Sequence, residues 1–371
     1  MTPRRIIIAT QTFPPDLGGM EELTGGLATA LAAEGHAVEV FADRIRSGRA
    51  ELPAPGFVLH RFGGPRPWRR WRKRMAIGRA LSGGPPSALI AESWKSVEAL
   101  PRAPGGTPLL VLAHGMEFPP DVTPGKAERI RAALGRATSV AANSHYTLGL
   151  LTPHMPPGPH CAVVPPPIAP QPDPSPADLA AVRALTGDEG PVLLTLARLE
   201  PRKGIDMVIR AMAGLAATHP KLSLLVAGDG PDKDRLVSLA AEAGIAQRVR
   251  FLGRVDAGMK AALFRSADLF AMPTRREGAS VEGFGIVYLE AAWYGLPALA
   301  GREGGAADAV ADGETGVLCD GADPRAVEDA IAALLADRAA LRAMGARACG
   351  RVRAGFLWPS ILPRYLALLE P

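Results

Sequence analysis

The sequence predicts an α/β fold of two doubly wound, Rossmann-like parallel sheets, one in each half. Three observations carry this. Short apolar runs bounded by Gly or Pro alternate with longer stretches of helical spacing in both halves, the pattern of parallel strands joined by crossover helices. A tract between residues 165 and 176 holds seven prolines and divides the halves. At 371 residues the chain is long enough for each half to bury its own core.

In chain order, residues 5–10 read as the first strand, and the loop 11–19 carries Pro14, Pro15, Gly18 and Gly19. Helical spacing runs from Met20 to Glu34, Gly35 closes it, and residues 38–42 form the next strand. This βαβ opening has glycines at its first turn but lacks a full G-x-G-x-x-G. Residues 88–91, 108–113 and 139–142 read as further strands. His114 follows one strand end directly, and Glu117, Asn143 and Tyr146 follow similar ends, where open α/β sheets bind ligands. Residues 169–190 read as a stiff Pro-rich linker.

The second half opens with a strand at 192–197, a loop with Arg198 and Lys203, and a helix from Gly204 to about Thr218. Two spaced cations at a strand end can grip a pyrophosphate. Strands follow at 223–227, 249–252, 269–272 and 297–300, and final helices reach Arg353. The stretch 275–295, RREGASVEGFGIVYLEAAWYG, is the most informative. Gly283 and Gly285 allow close backbone approach, and the helix after them places Ile286, Leu289 and Trp293 on one face. Its first N–H groups have no partner inside the helix, so they make a phosphate cradle. Glu282 stands outside that cradle and Glu290 about two turns along. Together they can bracket a molecule with hydroxyls at both ends and phosphates between, such as a nucleotide-sugar.

Apolar content of 47% and charged content of 21% fit a globular protein, and no apolar window is long enough for a spanning helix. The run at residues 6–9 is too short for a signal-peptide core. Cys161, Cys319 and Cys349 show neither a disulfide framework nor a metal spacing, so reduced thiols in the cytoplasm are expected. Residues 1–168 hold 19 Lys/Arg against 12 Asp/Glu, whereas the remainder holds 23 against 25. The basic surplus of the first half calls for an anionic partner there.

That surplus concentrates in residues 61–79, RFGGPRPWRRWRKRMAIGR, with eight basic residues and no acid. Helical spacing puts Trp68, Trp71 and Met75 on one face, with Arg69, Arg70, Arg72, Lys73 and Arg74 mostly around it. Three readings compete. The helix lies on an anionic membrane surface; or the tryptophans pack on the domain core; or the charges hold an anionic acceptor. No nucleic-acid-binding module is visible, and no nucleic acid is expected.

The motif EGFGIVYLEA resembles the signature of retaining glycosyltransferases of family 4, which have the two-domain GT-B fold. ARLEPRKG, VAGDGP, FLGRV, AHGMEF and PPDLGGMEE extend the resemblance over nearly the whole chain, most closely from 192 to 319. The resemblance implies two domains, 1–168 and 191–355, facing across a cleft, with 356–371 crossing back to the first. It implies that Arg198 and Lys203 bind the donor diphosphate and that Glu282 and His114 position the donor sugar. Glu290 would hold the ribose. The N–H groups at Phe284, Gly285, Ile286 and Val287 would face sugar and phosphate, and Gly18 and Gly19 the diphosphate and acceptor. Gly230, Arg254 and Val255 would form the base pocket. Two departures stand out. Pro165-Pro166-Pro167-Ile168 lacks the Gly and Asp of the family's turn, and Asp308 stands where a Glu is common.

The expected activity is transfer of a sugar, with retention, from a UDP- or GDP-sugar to an acceptor hydroxyl. The acceptor would be lipid-linked, a cell-envelope glycan or a small molecule. No metal or other cofactor is expected, and the protein is expected in the cytoplasm or on the inner face of its membrane. A nucleotide-sugar epimerase or phosphorylase of the same fold, and a non-catalytic membrane-surface protein, stay open as alternatives.

Overall fold

The computed structural model describes residues 2–16, 18–45, 56–102, 104–119, 121–186 and 190–370. Leu17 of the first glycine loop and residues 187–189 of the expected linker lie outside the described residues. The chain divides into two compact units, Met1–Ala169 with Trp358–Pro371, and Pro170–Leu357.

The first unit begins with β1 (Arg5–Ala9), α1 (Gly19–Ala33), β2 (Ala37–Asp43), β3 (Val58–Phe62), α2 (Arg66–Ser82), β4 (Ala88–Ala91) and α3 (Trp94–Glu98). It continues with β5 (Leu109–Ala113), α4 (Pro124–Leu134), β6 (Ser139–Ala142), α5 (His145–Leu151) and β7 (His160–Val163). Its seven strands lie in the order β3-β2-β1-β4-β5-β6-β7, all pairs parallel, with Ile6 opposite Val38 and Ala88. The order turns on β1, and the loops beyond the carboxyl ends of β1 and β4 are where such a sheet holds ligands. Central strands such as Ile6-Ile7-Ile8 are buried on both faces and so carry no polar alternation. Ile6 and Ile8 pack with Leu27 and Leu31, and Ile7 packs with Trp94 and Val111 on the opposite face.

The second unit contains α6 (Pro176–Thr186), β8 (Val192–Leu196), α7 (Ile205–Gly214), β9 (Ser223–Ala227), α8 (Lys233–Glu242), β10 (Val249–Gly253) and α9 (Ala257–Ser266). Then come β11 (Leu269–Met272), α10 (Ile286–Trp293), β12 (Ala298–Gly301), α11 (Ala306–Ala309), β13 (Gly316–Cys319), α12 (Pro324–Ala336) and α13 (Arg338–Gly355). Its parallel sheet runs β10-β9-β8-β11-β12-β13. The last helix, α14 (Trp358–Ala367), returns to the first unit, where Ile361, Leu362 and Tyr365 join the core beneath α1.

Three expectations need correction. The tract 169–190 is not a linker throughout, because α6 occupies half of it. Ser175 accepts the Asp178 N–H at 3.1 Å, and Pro176 sits at the first helical position, where its missing N–H costs nothing. Val182 is buried and the helix packs on α9. Three strands escaped the sequence reading: β3, β7 and β13. All are edges of their sheets; β3 and β7 carry residues that blur an apolar run, such as His60, Arg61 and His160, and β13 is only four residues long. Finally, α10 does not present a single apolar face. Tyr288, Leu289, Glu290, Ala291 and Ala292 are all buried, so the helix is enclosed on most sides.

The helix α13 seats against the end of α10 through glycines. A Cβ at Gly345 would lie 1.9 Å from the Gly295 carbonyl oxygen. Gly345→Ala is expected to destabilise the second unit by about 2 kcal/mol through overpacking, seen as a lower midpoint in urea denaturation with an unchanged slope.

Candidate functional site

In the second unit, four loops at the carboxyl ends of β8, β9, β10 and β11 build the site. The loop after β8 runs from Arg198 into a short 3₁₀ turn, Pro201–Lys203, which Gly204 ends in the left-handed region at φ 71°. A Cβ there would also meet the Pro273 carbonyl oxygen at 2.0 Å, so only glycine fits. This bend turns Lys203 inward, 8% exposed, onto the Glu282 carboxylate. Arg202 Nη1 reaches the same carboxylate at 2.9 Å and its Nε reaches Glu200 at 2.9 Å. Burial pushes the Glu282 carboxyl up, but Lys203 and Arg202 outweigh it and hold it below the ordinary carboxylate range. Arg198, by contrast, is 70% exposed and 3.1 Å from Glu200.

The Glu282 loop is held from both sides. Its backbone oxygen accepts the Gly305 N–H at 2.8 Å. Arg275 donates to both Asp206 oxygens at 2.8 and 3.0 Å, and its N–H reaches the Arg202 carbonyl at 2.9 Å. Burial raises the Asp206 carboxyl, yet Arg275 and Arg235 bring it below its ordinary value. After the loop, Gly285 (φ 87°) opens α10, and Tyr288 anchors it by donating to the Met272 carbonyl at 2.6 Å. Glu290, buried in α10, accepts from Lys260 Nζ of α9 at 2.6 Å. The GDGP turn lies directly on the Arg198 loop: a Cβ at Gly230 would be 2.3 Å from the Leu199 oxygen. Exposed Arg254 stands 3.9 Å from Asp229 of that turn, and Val255 follows it.

In the first unit, His114 leaves β5 with its N–H donating to Glu117 at 2.8 Å. Its Nε2 lies 2.8 Å from the Glu92 carbonyl oxygen. A carbonyl only accepts, so Nε2 carries a proton and donates it to Glu92. Asn143 Nδ2 donates to the His114 carbonyl at 3.3 Å. Glu92, 2% exposed, accepts from Gln11 N (2.9 Å), Thr10 Oγ1 (3.2 Å), Thr12 Oγ1 and Ser96 Oγ (both 3.3 Å). It pins the loop after β1, which leads to Gly18 and Gly19 at the start of α1. Tyr146 lies partly buried in α5.

Two sequence profiles, described as Glycosyl transferases group 1 and Glycosyl transferase 4-like domain, match residues 182–350 and 18–167. A GDP-mannose-dependent alpha-(1-6)-phosphatidylinositol monomannoside mannosyltransferase of Mycolicibacterium smegmatis is 33% identical over 92% of this chain and 91% of its own. The chain is a group 1 glycosyltransferase of the family 4 type. The mannosyltransferase of the same description from Mycobacterium tuberculosis is 32% identical over 99% of this glycosyltransferase and 98% of its own length. The solved sucrose-phosphate synthase of Thermosynechococcus elongatus shares the fold at a TM-score of 0.80 and 24% identity, covering 98% of both chains. The fold is therefore GT-B, and the enzyme is a hexosyltransferase that uses nucleotide-sugar donors.

Within the second unit of the glycosyltransferase, Lys203, Glu282 and the start of α10 come together, and Glu290 stands further along the helix. The Gly304-Gly305 turn is a support: the Gly305 N–H donates to the Glu282 carbonyl, and α11 is only four residues long. Glu117 and Asn143 brace His114. The basic helix is the largest correction. Lys73 is 4% exposed and bonded to Asp43 at 2.5 Å, while Arg69 pairs with Asp43 at 2.9 Å and Arg70 lies 3.6 Å from Glu98. These three cannot sit freely at a membrane surface. Trp68, Trp71 and Met75 are 64%, 54% and 43% exposed, which removes the core-packing reading. Residues missed by the sequence reading are Arg202, Lys260, Arg275 and Glu92. Arg202 adjoins Lys203 and was legible as a third cation; the others come from distant segments.

Glu282→Gln leaves buried Lys203 without its counter-charge and Arg202 with Glu200 alone, and is expected to cost about 3 kcal/mol in urea unfolding. Because the folded carboxyl titrates low, the wild-type contribution is complete above its unfolded pKa of about 4.3 and is lost as pH falls through the folded value. The variant should lack that part of the acid destabilisation, as read from urea midpoints between pH 7 and 3.

Proposed function

We propose that this glycosyltransferase moves a mannosyl-type hexose from a GDP-sugar to a hydroxyl of a lipid-linked acceptor, with retention at the anomeric carbon. The buried Lys203–Glu282–Arg202 group, at the mouth of a helix that carries Glu290, is the observation that carries the reading. A donor diphosphate brought to this loop offers Lys203 a second anion. The C1–oxygen bond to the diphosphate breaks and a C1–oxygen bond to the acceptor forms on the same face. The departing phosphate oxygen takes the acceptor proton. Lys203, Arg198 and the first N–H groups of α10 stabilise the charge that grows on the leaving group. Glu282 accepts from sugar hydroxyls and Glu290 from the ribose. The scheme uses cations of the chain where other transferases use a metal, and chelators should leave the rate unchanged.

The choice of guanosine, mannose and a lipid rests on the two relatives that span nearly the whole chain. A thermal-shift series with UDP, GDP and ADP and their sugar conjugates tests it. GDP and GDP-mannose should raise the melting temperature, and Lys203→Ala should abolish the shift and lower kcat by about 100-fold or more. A shift with UDP alone, or none with any nucleotide, would refute the donor assignment.

Membrane contact belongs to the same proposal. The outward face of α2 presents Trp68, Trp71 and Met75 beside exposed Arg72 and Arg74, the composition that seats a helix in an anionic interface. The chain is expected to sediment with vesicles containing anionic lipid, from the inner face of the cytoplasmic membrane in the cell. Trp68→Ser with Trp71→Ser should weaken that partition at least about tenfold. Equal sedimentation of variant and wild type would remove the membrane from the scheme.

A further inference from the structure

A hollow in the first unit lies at the carboxyl ends of β1 and β2, between α2 and α3. Five cations line it: Arg66, Arg69, Arg70, Lys73 and Lys95. Its lining contains one carboxylate, Asp43, already engaged by Arg69 and Lys73. Glu98 is no full partner for Arg70, because it takes two bonds of 2.8 Å from Arg129 and leaves Arg70 at 3.6 Å. Arg66 and Lys95 meet no carboxylate within 4 Å among the described residues. Arg69 Nε lies 2.9 Å from Asp43 Oδ2 but off the hydrogen-bond direction, and Arg70 Nη2, 3.6 Å from Glu98, is a buried donor with no acceptor in hydrogen-bond reach.

Buried N–H donors are rarely left without an acceptor. Like charges gathered in a concave site focus their field on whatever anion enters it. Arg66 and Arg70 stand one helical turn apart, so their planar forks can address neighbouring oxygens of one tetrahedral group. Lys95, from α3, adds a point charge from another side. A phosphate, with several oxygens and one or two negative charges, matches this donor set better than a carboxylate.

We infer that this hollow is a phosphate subsite that holds a phosphomonoester or phosphodiester of the acceptor. Only the word acceptor rests on the proposed function; the anion site stands on its own geometry. It gives the buried side of α2 a role distinct from the tryptophan face. The same chemistry serves a phospholipid headgroup and a free phosphorylated polyol.

The test is calorimetric titration of the full chain, without donor, with inorganic phosphate and with glycerol 3-phosphate. It compares wild type, Arg66→Gln/Lys95→Gln and Lys203→Ala. Saturable binding should weaken at least tenfold in the double variant and persist in Lys203→Ala. Equal affinity in wild type and double variant, or loss confined to Lys203→Ala, overturns the subsite. The double variant should melt like wild type and keep its thermal shift with the donor nucleotide. A wild type that binds phosphate here yet responds to no nucleotide would refute the donor reading and leave the subsite standing. Vesicles of phosphatidylinositol in phosphatidylcholine separate the sources. Displacement of the chain from them by glycerol 3-phosphate assigns a lipid headgroup, and binding of glycerol 3-phosphate without such displacement assigns a free phosphorylated molecule.

Discussion

One carboxylate with two cations organises the second unit. Glu282, Lys203 and Arg202 come from two loops about eighty residues apart in sequence, joined at the carboxyl edge of one sheet. Removing three charges from water is costly, and their attraction offsets that only if the geometry is held. The holding is visible. Gly204 allows the bend that turns Lys203 inward, the Gly305 N–H fixes the Glu282 backbone, and the Asp206–Arg275 pair ties both loops together. In the scheme proposed above, a diphosphate brings the same kind of charge that Glu282 supplies, so Lys203 would be shared with it without becoming unpaired and would meet charge where it develops.

Glu290 repeats the theme at smaller scale. It lies in a helix buried on most sides, where an unpaired carboxylate would be expensive, and Lys260 of α9 supplies the counter-charge at 2.6 Å. In the first unit Glu92 is handled differently. It meets no cation within ion-pair distance among the described residues and is solvated by four protein donors. Its backbone oxygen also fixes the His114 tautomer. Both units thus place a buried acid beneath a loop at the carboxyl end of a sheet, one neutralised by charge and one by hydrogen bonds.

The fold was legible because its signal is local. Buried strands such as Ile6-Ile7-Ile8 and Leu269–Met272 declare themselves by continuous apolar runs ending in glycine or proline. Edge strands declare themselves less well: β3 and β7 carry His60, Arg61 and His160 on partly exposed backbone, and β13 is a run of only four residues that begins with Gly316, whereas the edge strand β10 was legible. The loops after β8 and β11 stood out because glycines and charges there sit at short spacings. Lys260, Arg275 and Glu92 were not. Each acts on a residue between 22 and 69 positions away, and nothing in the local spacing marks a Lys or Glu that will find such a partner. Proline counting failed at 176 for a related reason. It weighs the residue type, while the position relative to the Ser175 cap decides whether a helix can begin there.

The helix α2 shows how far periodicity reaches. Spacing placed Trp68, Trp71 and Met75 together on one face, and they are together. Spacing cannot say which face turns inward; the neighbours decide that. Asp43 at the end of β2 and the Thr10 carbonyl at the end of β1 both present oxygen toward the helix. A cation facing them replaces water with fixed acceptors, and the aliphatic stem of Lys73 can pack alongside Ile77 and Leu81 on the same buried face. Burial lowers the Lys73 ammonium from its ordinary value, and Asp43 and Glu92 act against that shift. The tryptophans are left outside because the sheet edge asks for charge, and an exposed aromatic face on a cationic helix follows from that electrostatic choice.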